Sequence, residues 1–335
     1  MSDLKIIKII EETIGRPFAY TMQDDRCIDL SLGDDDAPYY GLIRHHTPAA
    51  KQEILQLISR LTSLQKLNLR RNLLGKLPDN FDQLTKLEDL SLGSNYLGAF
   101  PEQIRGFKEL KRLALSNNDL AELPSWCSEL QNLESIALHK NLKLRSIEPL
   151  RGLKRLRSIN LYFVNILTLP EFVYEFSDLK NLTLWNIKNF PDGLEALENL
   201  EFFTNCGGPS VRSLPKGFTS LKKLRMARIY QNDLEVLPED IGNLENLEQI
   251  SLYQNRLARL PDSMAKMKRL TKLNLGWNQF EALPDWINDL KELEWLAIFE
   301  NPLKQPDGIH TRSGLKIDRE WPFTTLLNVG ESSYT

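Results

Sequence analysis

Residues 64–78 read L-Q-K-L-N-L-R-R-N-L-L-G-K-L-P, and residues 87–101 repeat the pattern as L-E-D-L-S-L-G-S-N-Y-L-G-A-F-P. The shared phrase is L-x-x-L-x-L-x-x-N-x-L, followed by two residues and then L-P or F-P. Its first leucine occurs at Leu64, Leu87, Leu110, Leu133, Leu156, Leu179, Leu200, Leu224, Leu247, Leu270 and Leu293. Successive starts lie 23 residues apart, except for spacings of 21 and 24 on the two sides of Leu200. A fixed period of this length indicates stacked modules, each of which contacts only its neighbours.

The phrase resembles the 23-residue leucine-rich repeats of intracellular bacterial proteins and of the Ras-associated group in eukaryotes. This resemblance implies an α/β repeat solenoid, a leucine-rich repeat horseshoe with a parallel concave β-sheet and a helical or 3₁₀ convex side. The stretch C-I-D-L-S-L at 27–32, after an initial helix, is also similar to the start of the leucine-rich repeat part of bacterial Roco-type proteins. No G-x-x-x-x-G-K-[ST] phosphate loop occurs in the sequence, so no GTPase activity is implied.

Each repeat position has its own expected environment. Side chains alternate along a strand, so positions 4 and 6 of the phrase should point into the core, while positions 3, 5 and 7 should point outward. The asparagine at position 9 should satisfy backbone groups that are buried where the chain leaves the strand. The residues expected to form this asparagine ladder are Asn72, Asn95, Asn118, Asn141, Asn232, Asn255, Asn278 and Asn301.

The repeats occupy residues 64–301, between two ends of different character. Residues 1–63 are expected to form an N-terminal helix, with Leu4, Ile7, Ile10 and Ile14 at helical spacing, and an imperfect cap repeat at 27–35. The insertion at 34–47 is predicted to be a solvated loop, because its aspartates and histidines lack the spacing of a metal site. Residues 302–335 should comprise a C-terminal cap, over 302–328, and a disordered tail.

The pattern is irregular between residues 143 and 211. At position 9 the asparagine is replaced by Val164, Ile187 and Gly208 in three successive repeats. A change of curvature or a bulge is expected here, with a projecting turn at 205–209. Neutral drift inside a long array and a functional break both explain this irregularity.

Aromatic residues occupy the expected outward positions of the carboxy-terminal half. Such rings are uncommon on a monomer surface without a partner, and tyrosine and tryptophan contribute most of the binding energy in many interfaces. The candidate partner-binding residues are Tyr162, Phe163, Trp185, Arg228, Tyr230, Tyr253, Trp277, Trp295 and Phe299. In the alternative interpretation, the side chains at position 8 fold over the edge of the sheet and pack on one another, or the C-terminal tail covers the rings.

Several classes of function lack the residues that they require. The four histidines occupy three distant places, and no nucleophile elbow, HExxH, CxxC or dinucleotide loop occurs, so we expect no enzyme, cofactor or metal. A formal net charge of −3 at pH 7 gives no general attraction for nucleic acid. No apolar run approaches the roughly 18 residues of a membrane span.

The compartment is inferred from the cysteines and the amino terminus. The chain has only three cysteines and no cysteine-rich cap, and its first residues lack the features of a signal peptide. The leading expectation is a cytoplasmic module that binds an unidentified protein partner, either alone as an adaptor or as the sensing arm of an assembly. The alternatives are the substrate-recognition part of a secreted bacterial effector whose enzymatic domain is absent from this chain, and a purely structural or surface protein.

Overall fold

A computed structural model describes residues 1–33, 41–208, 211–304 and 314–319 of the 335-residue chain. The chain divides into two compact units. The first unit comprises residues 1–166 and 170–184, and the second comprises 167–169 and the chain from residue 185 onward. The insertion residues 34–40, the end of the expected turn at 205–209 and most of the expected C-terminal cap lie outside the described residues.

The amino-terminal end of the first unit consists of a helix, a hairpin and a second helix. Helix α1 spans Asp3–Ile14, strand β1 spans Ala19–Gln23, strand β2 spans Arg26–Ser31, and helix α2 spans Pro48–Ile58. The expected helix is confirmed, but it buries Ile6, Ile7 and Ile10, while Leu4 is exposed. Strands β1 and β2 pair antiparallel, so the sheet is not parallel at this end.

The remaining strands pair parallel with their neighbours in each unit. In the first unit they are β3 Lys66–Asn68, β4 Asp89–Ser91, β5 Arg112–Ala114, β6 Ser135–Ala137, β7 Ser158–Asn160 and β8 Asn181–Trp185, whose last residue belongs to the second unit. In the second unit they are β9 Phe202–Cys206, β10 Met226–Arg228, β11 Gln249–Ser251, β12 Lys272–Asn274, β13 Trp295–Ala297 and β14 Lys316–Asp318. Equivalent positions pair from repeat to repeat, as with Leu67 and Leu90. The predicted leucine-rich repeat solenoid is confirmed.

Short 3₁₀ helices lie between the strands. They span Asp79–Gln83, Glu102–Gly106, Ser125–Glu129, Glu148–Leu150, Glu171–Glu175, Leu194–Ala196, Phe218–Ser220, Ile241–Asn243, Asp262–Lys266 and Asp285–Asp289. Six of them begin directly after the proline of the L-P or F-P pair. The ring of proline fixes φ near the value that a helical turn requires, which makes it a suitable residue at such a start.

The asparagine ladder forms in both units. The side-chain Oδ1 of Asn118 accepts the backbone N–H of Asn95 at 2.9 Å, and its Nδ2 donates to the carbonyl oxygens of Leu92 and Leu115. In the second unit, Asn255 and Asn278 accept instead from the N–H groups of Leu234 and Leu257, and their Nδ2 atoms likewise donate to buried carbonyl oxygens. Each amide thereby pairs a donor and acceptors that would otherwise be buried without partners.

The irregular stretch has a different chemistry at position 9. Val164 and Ile187 are buried and apolar, so they contribute packing where other repeats contribute an amide. In the second unit Asn205, at position 6, accepts from the N–H of Ile187 and donates to its carbonyl oxygen, both at 3.3 Å. The ladder therefore resumes at Asn205, whose carbonyl oxygen accepts from Asn232 Nδ2.

Candidate functional site

Two of the candidate rings are less accessible than their strand positions predict. Tyr253 and Phe299 occupy position 7 and leave the sheet on its outward face, yet they are only 8% and 4% exposed. Their ring centroids lie 6.0 Å apart, and Ala297 completes the buried cluster. The expectation that both rings are exposed is therefore wrong: they pack on each other, although the alternative interpretation expected such packing at position 8. Burial also raises the pKa of the Tyr253 hydroxyl.

A glycine explains why this cluster closes. Gly276 occupies position 7 in the repeat between Tyr253 and Phe299, and a Cβ atom there would overlap the Phe299 ring. The missing side chain lets Phe299 lie across the intervening repeat and reach Tyr253. Burial of outward residues therefore depends on the neighbouring repeats as well as on the position within one repeat.

The partly exposed candidates surround this cluster. Tyr230 and Trp295 are partly buried and pack against it, and the indole Nε1 of Trp295 donates to Asp318 Oδ2 at 2.8 Å. Arg228 is half-buried at position 5 of the neighbouring strand β10. We call Arg228, Tyr230, Tyr253, Trp295 and Phe299 the ring cluster face. It combines a fixed aromatic base with reachable polar groups.

Two candidates belong to the first unit. Tyr162 and Phe163 lie at positions 7 and 8 of one repeat, and both are half-buried. Their ring centroids are 4.5 Å apart at an interplanar angle of 74°, an edge-to-face pair. The two residues therefore form a small aromatic patch of their own.

Trp277 belongs to a different row of residues, and Trp185 extends towards that row. Position 8 has a left-handed backbone in repeat after repeat, with φ between 53° and 80° at Asn186, Gly207, Gln231, Gln254, Trp277 and Glu300. Trp277 is 46% exposed there. The indole of Trp185 extends over Gly207 of this row. Its six-membered ring occupies the space that a Cβ atom of Gly207 would need.

Between the two tryptophans, the second unit has a groove of about 510 Å³. Gly207, Gln231, Gln254, Trp277 and Glu300 of position 8 line it, together with Trp185, Gly208, Asp233, Arg256, Gln279 and the ladder residues Asn232, Asn255 and Asn278. Arg256 Nε lies 2.8 Å from Asp233 Oδ1. Trp185 and Trp277 are the sequence-predicted candidates among these residues. Gln231, Gln254 and the ion pair were not identified from the sequence. Glutamine at position 8 of two successive repeats is the sequence feature that could have indicated them.

Three basic residues on strand positions of the first unit, Lys111, Arg112 and Arg157, pair with acids of neighbouring repeats. Lys111 Nζ lies 2.7 Å from Glu88 Oε2, and Arg112 Nε lies 2.7 Å from Asp89 Oδ2. Such exposed pairs contribute little stability, but they remove local net charge. The pairing favours an ordinary solvated face over a site for an acidic partner.

Possible metal ligands are dispersed, and thiols are buried, in the part of the chain that the structure describes. Among the described residues, no three histidine, cysteine or acidic side chains come together as a metal site. All three cysteines are free and buried, and burial raises the pKa of Cys27 to about 11 and of Cys127 to about 12. None of the described helices has the length and apolarity needed to traverse a lipid bilayer.

Comparison with known proteins agrees with this architecture. A family profile described as "Leucine-rich repeat region" matches residues 204–310, and one described as "Leucine rich repeat" matches residues 62–120. No curated protein sequence matches the chain. The Roco resemblance remains a prediction.

Solved structures with the same fold come from bacteria and plants. An internalin (InlF) of Listeria monocytogenes aligns with a TM-score of 0.68 and 17% identity, over 94% of this chain and 94% of the internalin. The Arabidopsis receptor kinase HAESA, in complex with the peptide hormone IDA and the co-receptor SERK1, aligns with a TM-score of 0.67 and 19% identity, over 89% of this chain and 53% of the HAESA chain. At these identities the likeness establishes the fold alone. Repeat pattern, strand register and family profiles together identify this chain as a leucine-rich repeat protein.

Proposed function

We propose that this chain is a non-enzymatic recognition module, and that it binds a protein partner through the ring cluster face of its second unit. Leucine-rich repeat domains generally mediate interactions between proteins. The chemistry of this face is the observation that supports its choice as the binding surface. Tyr253 and Phe299 form a packed aromatic base, and Arg228, Tyr230 and Trp295 remain partly accessible around it.

A base of packed rings favours binding because little conformational freedom remains to be lost. Tyrosine and tryptophan bury a large area with two side-chain torsions each, and packing against a neighbour already restricts those torsions. Arginine beside such rings can make several directed hydrogen bonds to a partner. We therefore assign Arg228, Tyr230 and Trp295 to direct contact, and Tyr253 and Phe299 to support of these residues.

The other candidates have secondary roles in this proposal. Trp277 is the most exposed of the candidate rings, and we assign it to the margin of the interface. Tyr162 and Phe163 would form a separate contact patch on the first unit. The free state of all three cysteines supports a cytoplasmic, reducing compartment.

Affinity purification from the native cell, followed by quantitative mass spectrometry, tests the proposal. The bait is the full chain, compared with the variant Arg228→Glu/Tyr230→Ala and with the control Tyr96→Ala/Leu142→Ala, whose residues are each 63% exposed on the first unit. We expect one set of proteins to be enriched by the wild type and the control and to be lost from the face variant. Retention of the same proteins by a folded face variant would contradict the proposal.

A further inference from the structure

The groove between Trp185 and Trp277 is lined by groups that suit a different ligand from the one proposed above. Its position-8 row consists of Gly207 under the Trp185 indole, then Gln231, Gln254, Trp277 and Glu300. None of these residues belongs to the ring cluster face. A ligand in the groove would therefore meet two indoles separated by two carboxamides.

The polar groups of the groove are matched to an uncharged ligand. Gln231 and Gln254 are exposed, and each side-chain amide offers both donors and an acceptor. Arg256 is already paired with Asp233, so its charge is largely balanced within the groove. Glu300 adds an acceptor and disfavours an anionic ligand. Hydroxyl groups, which both donate and accept, complement this set.

The apolar groups of the groove are flat surfaces. The described residues of the lining include no aliphatic side chain that could form an enclosed pocket, and such a pocket is what a peptide anchor residue generally fills. An indole instead offers a broad apolar face with a polar edge. The C–H face of a pyranose ring stacks on such a surface while its hydroxyls remain available to the amides.

The spacing of the row also fits a sugar chain. Three strand steps separate Gly207, which lies under the Trp185 ring, from Trp277, a distance of about 14 Å at about 4.8 Å per step. This is close to three ring-to-ring steps in an extended β-1,4-linked chain, so four successive pyranose rings would span it. One ring per repeat would then place each ring beside one position-8 side chain.

We propose that this groove binds a neutral, extended oligosaccharide, with Trp185 and Trp277 stacking on sugar rings and Gln231 and Gln254 hydrogen-bonding their hydroxyls. Gly207 fixes the Trp185 indole, because any larger residue would displace the ring. The binding site is thus formed before the ligand arrives, which limits the entropy lost on binding.

Isothermal titration calorimetry on the full chain tests this proposal with cellohexaose, xylohexaose and chitohexaose as probes. We expect at least one of the three to bind with a Kd below about 1 mM. Trp277→Ala should weaken that binding about tenfold, and Gln254→Ala about fivefold, since a hydrogen bond contributes about 1 kcal/mol. Tyr96→Ala, an exposed aromatic on the first unit, is the matched control and should bind as the wild type does.

Three results would overturn the proposal. One is the absence of binding by all three hexasaccharides, and another is full binding by a folded Trp185→Ala/Trp277→Ala variant. The third is binding of a pool of random uncharged decapeptides in place of the sugars, which would assign the groove to a peptide. Because Gln254→Ala leaves the ring cluster face intact, the expected weakening of sugar binding with unchanged retention of the protein partner separates this proposal from the proposed function.

Discussion

The ring centroids of Tyr253 and Phe299 lie 6.0 Å apart although these residues belong to repeats that are not adjacent. The repeat between them contributes Gly276 at the equivalent position, and Phe299 fills the space above that glycine. A second packed layer therefore exists on the outward side of the strands, opposite the leucine core. This layer determines which candidate residues a partner can reach.

Truncation of this layer should reduce stability, whereas truncation of Trp277 should not. We expect Phe299→Ala to lower the free energy of unfolding by about 3 kcal/mol, because it removes a buried ring. Trp277→Ala should change it by less than about 0.5 kcal/mol, since that side chain is 46% exposed. Urea unfolding followed by circular dichroism measures both values. Equal effects of the two substitutions would show that Phe299 is not buried as described.

The asparagine ladder gives a second stability prediction. Asn118→Ala removes the acceptor for the N–H of Asn95 and the donor for two carbonyl oxygens, all of them buried. Leaving buried polar groups unpaired costs about 1–3 kcal/mol each, so we expect a loss of at least about 2 kcal/mol. The exposed Asn243, which ends the 3₁₀ helix Ile241–Asn243, is the control, and Asn243→Ala should unfold nearly as the wild type does in the same urea titration. A neutral Asn118→Ala would contradict the ladder.

Sequence periodicity predicted most of this architecture, because the period fixes both the strand register and the inward leucines. Helix α2 was not anticipated, although Thr47, whose hydroxyl accepts from Ala50 N–H, and Pro48 at its first turn are standard start signals. The β1–β2 hairpin was also missed. Its turn residues Asp24 and Asp25 have positive φ, which fits a two-residue hairpin.

The candidate site was harder to predict for a physical reason. The direction of a side chain follows from its position in one repeat, but its exposure depends on the side chains of neighbouring repeats. Gly276 and Gly207 decide where the Phe299 and Trp185 rings lie, and neither effect is visible in a single repeat. The role of Asn205 was likewise not predictable from one repeat, because this residue joins the ladder from position 6 rather than from position 9.

The stability of the protein should depend on pH through His139. Burial lowers the pKa of this imidazole from 6.5 to about 4, with smaller contributions from Lys140 and Arg70. Below pH 6.5 the unfolded chain binds a proton at this site that the folded chain does not bind, so stability falls as the pH decreases towards 4. The loss is about 1.4 kcal/mol for each pH unit in that window.

His139→Gln isolates this contribution from that of the carboxylates. We expect the free energy of unfolding of the variant to fall less between pH 7 and pH 4.5 than that of the wild type, by about 2 kcal/mol. Urea titrations at several pH values provide the comparison. Parallel pH profiles for the two proteins would mean that His139 titrates equally in the folded and unfolded states.

The cysteines should be unreactive in the folded protein. Thiolate is the reactive form, and burial both raises the pKa of Cys27 and Cys127 and shields all three sulfur atoms. A colorimetric thiol reagent at pH 8 should therefore detect no fast-reacting cysteine in the native state and all three after unfolding in urea. Rapid modification of a native thiol would argue against this burial.

The contact of a protein partner with the ring cluster face is tested most directly by site-specific photo-crosslinking in the native cell. A benzophenone amino acid replaces Tyr230 on the face or, as the control, Tyr96 on the first unit. Irradiation should produce a covalent adduct of the chain with another protein from position 230 and none from position 96. Adducts from position 96 alone would contradict the assignment of the partner to this face.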